Sequence, residues 1–218
     1  MYPETAEQWP PLNIDSVVPL NGNSSSPPMS LSSSFYPQRP QAQFDRCNRF
    51  KRALWSLVWL CLFRPSPRIA FAWRRGLLRL FGARLAATAQ VYPSTRVWAP
   101  WNLAMHAHAV LGESVDCQSV GLIEIGADVA VSQYVHLCAA SHAIDSPDHA
   151  TTIGTIRLEP GCWVFAGAFI GPNVTVGRGA VVGARSVVVQ SVPALQVVAG
   201  NPAKCIRQRA AEWALPSH

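Results

Sequence analysis

No two cysteines in this 218-residue chain are spaced C-x-x-C. Cys47, Cys61, Cys117, Cys138, Cys162 and Cys205 are scattered singly. That spacing argues against a zinc site built from cysteine, and the thiols are expected to stay reduced. Long apolar runs are also missing. The longest, residues 53–63, spans eleven residues with Ser56 inside it, whereas a membrane-spanning helix needs roughly twenty. The first forty residues hold no apolar core behind a basic end, so no secretory signal is expected and the chain reads as cytoplasmic. Acids are scarce and unevenly placed. Residues 39–96 hold one acid, Asp45, against twelve Lys or Arg, for +11. Residues 1–38 carry −3 with no Lys or Arg, and residues 97–218 carry −2. The net charge of +6 is therefore local. This argues against a nucleic-acid-binding protein and points the basic stretch at a membrane surface or an acidic partner.

What is present divides the chain. Residues 1–40 hold eight Ser and eight Pro, a composition that cannot offset its ordering entropy. Residues 1–45 are expected to be disordered. Residues 46–90 read as a basic, amphipathic helical segment. Phe50, Leu54, Leu57, Val58 and Cys61 follow helical spacing, and Trp55 and Trp59 lie four apart. Arg64-Pro65-Ser66-Pro67 ends that helix. A second is expected near Ile69 to Phe81, stopped at Gly82 and carrying a basic face of Arg74, Arg75 and Arg79. Two expectations stand for this segment: helices packed on the main body, or an interfacial membrane contact.

From Val91 the chain repeats in sixes. Leu158, Val164, Ile170, Val176, Val182 and Val188 hold one position. Cys162, Ala168, Val174, Ala180, Ser186 and Val192 follow four later. Ile125, Val131 and Leu137 continue the series backward, with Val129, Val135 and Ser141 at the small position. Met105, Leu111, Cys117, Val91 and Val97 precede them. Gly171, Gly177 and Gly183 recur at the second position, where glycine is expected to permit a corner. Strands alternate with period two and helices with 3.6. Period six fits a coil of three short flat faces, each placing one aliphatic and one small residue inward. The register slips at Val97–Met105 and Cys117–Ile125, and a loop insertion interrupts it at residues 143–157.

These sixes are the hexapeptide repeat. The chain resembles the hexapeptide-repeat acyltransferases, and among them the colanic-acid-biosynthesis type of O-acetyltransferase. The strings that carry this are Ala53-Leu54-Trp55, Phe63-Arg64-Pro65-Ser66-Pro67, Trp98-Ala99-Pro100-Trp101-Asn102-Leu103, Val131-Ser132-Gln133-Tyr134, Ser141-His142 and Val197-Val198-Ala199-Gly200-Asn201-Pro202-Ala203-Lys204. The resemblance covers about residues 46–209. It implies a mainly β chain, folded as a left-handed parallel β-helix over 91–192. It also implies a homotrimer with active sites between subunits and transfer of acetyl from acetyl-CoA to a sugar or glycan hydroxyl. No nucleic acid and no metal are implied.

The resemblance puts the family's catalytic histidine on His142, and imidazole titrates where an alcohol must lose its proton. Transfer is then direct, with no acyl-enzyme. Asp116, Ser141 and Asp145 are candidates for the acceptor pocket, and Asp116, Asp145 or Asp148 for orienting His142. The family pattern suggests Trp163, Ala166, Gly183 and Ala184 for the pantetheine arm of acetyl-CoA. Asn201-Pro202 reads as a helix N-cap and first turn. The expected short helix in residues 193–218 would present Lys204 and Arg207 to the CoA phosphates. Related enzymes carry Thr-Lys-Asp where this chain has Val189-Gln190-Ser191. Two alternatives stay open. One is a γ-type carbonic anhydrase-like metalloenzyme using His106, His108, His136 and His142. The other is a non-catalytic trimeric scaffold.

Overall fold

The structure, a computed structural model, describes residues 46–145 and 149–210. The expectation for residues 1–45, and that for Asp148, lie outside the described residues. Helix α1 (Arg46–Val58) runs into a π-helical turn at Trp59–Phe63. Helix α2 (Phe71–Leu80) follows, and Gly82 closes it at φ 90° while the Ala83 N–H reaches back to the Leu78 carbonyl. No helix among the described residues is long and apolar enough to cross a membrane.

Three parallel sheets then wind around one core. The first coil is β1 (Arg84–Leu85), β2 (Gln90–Val91) and β3 (Arg96–Val97). The second is β4 (Leu103–Met105), β5 (Val110–Leu111) and β6 (Asp116–Gln118). The third is β7 (Ile123–Ile125), β8 (Ala130–Val131) and β9 (His136–Cys138). An antiparallel hairpin, β10 (Ala140–His142) and β11 (Thr151–Ile153), interrupts the winding. Two further coils follow: β12 (Ile156–Leu158), β13 (Trp163–Val164) and β14 (Phe169–Ile170), then β15 (Thr175–Val176), β16 (Val181–Val182) and β17 (Val187–Val188). Strands β1-β4-β7-β12-β15 form the first sheet. The second is β2-β5-β8-β13-β16, extended by β18 (Gln196–Gly200) and β19 (Ala203–Gln208), and the third is β3-β6-β9-β14-β17.

The period of six is thus the side length of a triangular coil. Each aliphatic position named above, from Val91 to Val188, is buried. The small positions Cys162, Ala168, Val174, Ala180 and Ser186 are buried beside them. Three readings change. Ser141 is not inward: the chain leaves the coil at buried Ala139, and Ser141 is exposed in the hairpin. None of the second-position glycines has a left-handed corner dihedral, and close approach demands glycine at Gly177 and Gly183 but not at Gly171, where a β-carbon would have room. A β-carbon on Gly177 would sit 2.5 Å from the Ala194 nitrogen. The left-handed corners fall instead at positions such as Gly161 and Gly179, with φ 68° and 63°. Finally, residues 203–208 are strand β19 and not a helix. Asn201-Pro202, joined by a cis bond, is the turn between β18 and β19. Val197 and Val198 pair with Val181 and Val182, and this extension of the sheet overrides the local capping signal.

The first coil also explains much of the basic helical segment. In every later coil the carbonyls accept N–H groups from the coil before, as Met105, Ala109, Leu111, Val115 and Cys117 accept from Ala86, Gln90, Tyr92, Arg96 and Trp98. The equivalent carbonyls of the first coil have no earlier coil to meet. Side chains of the helical segment take its place. Arg79 donates to Leu85 O, Arg75 to Ala89 O and Arg74 to Val91 O, while the indoles of Trp59 and Trp55 donate to Thr95 O and Val97 O. Arg74, Arg75 and Arg79 are therefore engaged with carbonyls of the first coil, Arg74 buried, Arg75 half-buried and Arg79 still exposed. They close the open end of the β-helix, as buried carbonyls require.

Candidate active site

The candidate residues fall in two places on the prism. The first is the hairpin at the edge between the third sheet and the first. His142 is its last β10 residue, exposed and paired in register with Thr151, and Ser141 pairs with Thr152. Asp145 lies exposed in the turn beyond. The His142 Nδ1 is 2.9 Å from the backbone oxygen of His149. A carbonyl oxygen only accepts, so Nδ1 carries the proton and a neutral ring presents its lone pair at Nε2. The group in contact with the ring nitrogen is thus a backbone carbonyl. Asp116 stands on β6, exposed, between Arg96 and His136 in the register of the third sheet. No sequence signal marks His149 for this role, because any residue supplies a carbonyl.

The second place is the outer face of the second sheet. Ala130, Trp163, Val181, Val197 and Arg207 align across β8, β13, β16, β18 and β19. Trp163 is exposed, stacks on Phe165 at 4.6 Å and 17°, and donates to Ser132 Oγ at 3.3 Å. Phe165 was legible as a departure, since it holds the position that is Gly171, Gly177 and Gly183 in the next three sixes. Ala166, Gly183 and Ala184 lie at the following corner of two successive coils. The Gly183 N–H donates to Val198 O, and the Ala166 carbonyl accepts from Arg185 N–H. What these residues offer a ligand is close approach. Lys204 pairs with Ala199 on β19, and both Lys204 and Arg207 are exposed.

The cysteines nearest the site are poor nucleophiles. Cys162 is buried, and that burial pushes its thiol up to about 12. Cys117 is fully buried and is shifted further in the same direction, with Asp116 adding to the effect. Cys138 Sγ is engaged with Gln118 Oε1 and the Ala140 carbonyl.

The four histidines considered for a metal have separate partners. His106 faces Glu124, His108 faces Asp128, His136 faces Gln118 and His142 faces His149 O. Among the described residues no group of three His, Cys, Asp or Glu side chains is placed to hold a metal ion.

No family model matches the chain. Individual proteins do. The colanic acid biosynthesis acetyltransferase WcaF of Escherichia coli K12 is 41% identical over 167 residues, which is 74% of this chain and 89% of that protein. The hexapeptide-repeat acetyltransferase VCA0836 of Vibrio cholerae, solved with acetyl-CoA, superposes with a TM-score of 0.68 at 25% identity, covering 76% of this chain and 91% of that one. A maltose O-acetyltransferase of Clostridium difficile shares the fold, with a TM-score of 0.66, 24% identity and 77% and 90% coverage. The parallel coils are accordingly the left-handed β-helix of these enzymes, and the chain belongs to the hexapeptide-repeat acetyltransferases, in the group of the colanic acid biosynthesis acetyltransferase WcaF.

Proposed function

We propose that this protein transfers acetyl from acetyl-CoA to a sugar hydroxyl in the synthesis of an exopolysaccharide or cell-surface glycan, with His142 as general base. The observation that carries the reading is the contact between His142 Nδ1 and His149 O, because it ties Nδ1 to an acceptor and so puts the lone pair of the neutral ring at Nε2, on an exposed hairpin. Nε2 takes the proton of the acceptor hydroxyl as its oxygen bonds to the thioester carbonyl carbon. The carbon–sulfur bond then breaks, and the imidazolium returns the proton to the departing thiolate. Backbone N–H groups would hold the oxyanion between these steps. Direct transfer fits the two buried, hard-to-ionise thiols nearest the site.

Trp163 with Phe165, Ala166, Gly183 and Ala184 fit a pantetheine arm: an aromatic wall beside small corner residues. Lys204 and Arg207 supply cations for phosphates further along the same sheet. The acetyl-CoA complex of the Vibrio protein supports that donor, and the naming of the Escherichia relative for colanic acid biosynthesis supports a glycan acceptor.

The geometry also supports a homotrimer. The hairpin bearing His142 leaves the prism at the edge opposite the second sheet, which bears Trp163. The core separates the two places within one chain. His142 of one subunit then serves the cofactor face of its neighbour.

The test is CoA release with acetyl-CoA and a panel of mono- and oligosaccharide acceptors, for the intact protein and for His142→Ala. Acceptor-dependent release that is lost in the variant supports the reading. Release unchanged in His142→Ala would place the base elsewhere.

A further inference from the structure

We infer that the two N-terminal helices form a platform that docks on an anionic lipid surface. Helix α1 has two apolar faces. Trp55, Trp59 and Phe63 turn inward, and Trp55 and Phe63 are buried against the body of the molecule. On the opposite side Phe50, Leu54, Leu57 and Cys61 follow one another at intervals of four, three and four, and all are exposed, Phe50 to 70%. That interval keeps them on one stripe. Helix α2 and its approach repeat the arrangement. Ile69, Trp73, Gly76 and Leu80 have the same four-three-four spacing and are exposed, Ile69 to 87% and Leu80 to 79%, while Arg74, Leu77 and Leu78 are buried. The Trp73 indole donates to Leu62 O at 3.0 Å and ties the second helix to the end of the first. Two outward stripes therefore belong to the one helical segment that closes the β-helix, joined through that indole bond.

Charge selects the occupant. From Arg46 to Gly112 the sequence holds no acid, and Arg49, Lys51 and Arg64 beside the α1 stripe are exposed. An apolar stripe flanked by cations and aromatics is what an anionic headgroup layer accommodates. A second copy docked face to face would set these cations against their own copies. The cations that close the first coil are spent on carbonyls, so the docking charge lies with the residues of α1 and Arg64. This inference does not depend on the identity of the acceptor or of the base.

The experiment is co-sedimentation of the full chain with vesicles of phosphatidylcholine alone and of phosphatidylcholine with phosphatidylglycerol, at low and high salt. The expected result is binding about tenfold or more tighter to the anionic vesicles, weakening with salt. Leu57→Gln with Leu80→Gln should lose about tenfold, with an unchanged far-UV spectrum and unchanged mass in sedimentation equilibrium. Arg49→Gln with Lys51→Gln should flatten the salt dependence, and this pair decides the matter if the leucine pair folds poorly. Equal binding to both vesicle types, or none to either, would overturn the inference. So would a drop in oligomer mass in the leucine variant, which would show that another copy covers the stripe.

Discussion

The Arg74 Nε lies 2.6 Å from the Val91 carbonyl, on the edge strand of the first coil. The same buried guanidinium donates to Ser66 Oγ, Pro67 O and Arg68 O and packs over Phe71. One side chain thus seals a sheet edge and fixes the linker between two helices. Arg74→Met should keep the packing volume and orphan these acceptors, costing about 2–3 kcal/mol. Thermal unfolding should fall by roughly 5–10 °C. Arg74→Lys should recover little, since an ammonium cannot reproduce the fork. An unchanged midpoint in Arg74→Met would show that the edge carbonyls need no partner.

His142 and His149 form the second such pair, and here the backbone of one residue holds the ring of the other at Nδ1. His142→Ala should lower kcat roughly 10²–10⁴-fold with little change in the KM for acetyl-CoA. His149→Ala keeps the carbonyl and should retain most activity. Comparable losses in both variants would mean that the His149 side chain, and not its backbone, is what matters. Steady-state CoA release separates these outcomes.

The β-helix was legible because each face of a coil must place an aliphatic residue inward, so the core writes itself into the sequence every six positions. The misreadings have a common cause. Asn201-Pro202 carries the same local signature at a helix start as in a turn, and only the pairing of Val197 with Val181 decides between them. Ser141 was placed by continuing a register past the point where the chain had left the coil. Arg74, Arg75 and Arg79 look alike whether they face water or a carbonyl, so their capping role had no sequence mark. Of the candidate site, His142 and Trp163 are proposed through the resemblance, whereas nothing in the sequence marks the His149 carbonyl that meets the His142 ring.

The aligned residues Trp163, Val181, Val197 and Arg207 make a prediction about acetyl-CoA affinity. Lys204→Gln and Arg207→Gln should each raise the KM for acetyl-CoA about tenfold while sparing kcat, because charge-assisted contacts to phosphate act equally before and during transfer. Trp163→Ala should raise KM and lower kcat together if the indole also positions the thioester. Gln190 is exposed on the next corner of the last full coil, at the position where the family resemblance implies Lys. Gln190→Lys should therefore lower KM. Initial rates at varied acetyl-CoA check all four, and a KM indifferent to Lys204 and Arg207 would remove the phosphates from this face.

The buried thiols make the last prediction, and its sign follows from linkage. Folding raises the pKa of Cys162 from 9.0 to about 12 and shifts Cys117 the same way, chiefly by burial. Below pH 9 both thiols are neutral folded or unfolded, and pH does not matter through them. Above pH 9 the unfolded chain loses these protons while the folded one keeps them, so stability falls as pH rises. The denaturation midpoint should decline from about pH 9 upward, and Cys162→Ala should decline less steeply. Native protein at pH 8 should alkylate readily at exposed Cys47, Cys61 and Cys205 and not at Cys117 or Cys162. Mass mapping of the modified cysteines tests this directly, and labelling of Cys162 in the folded state would show that the coil opens there.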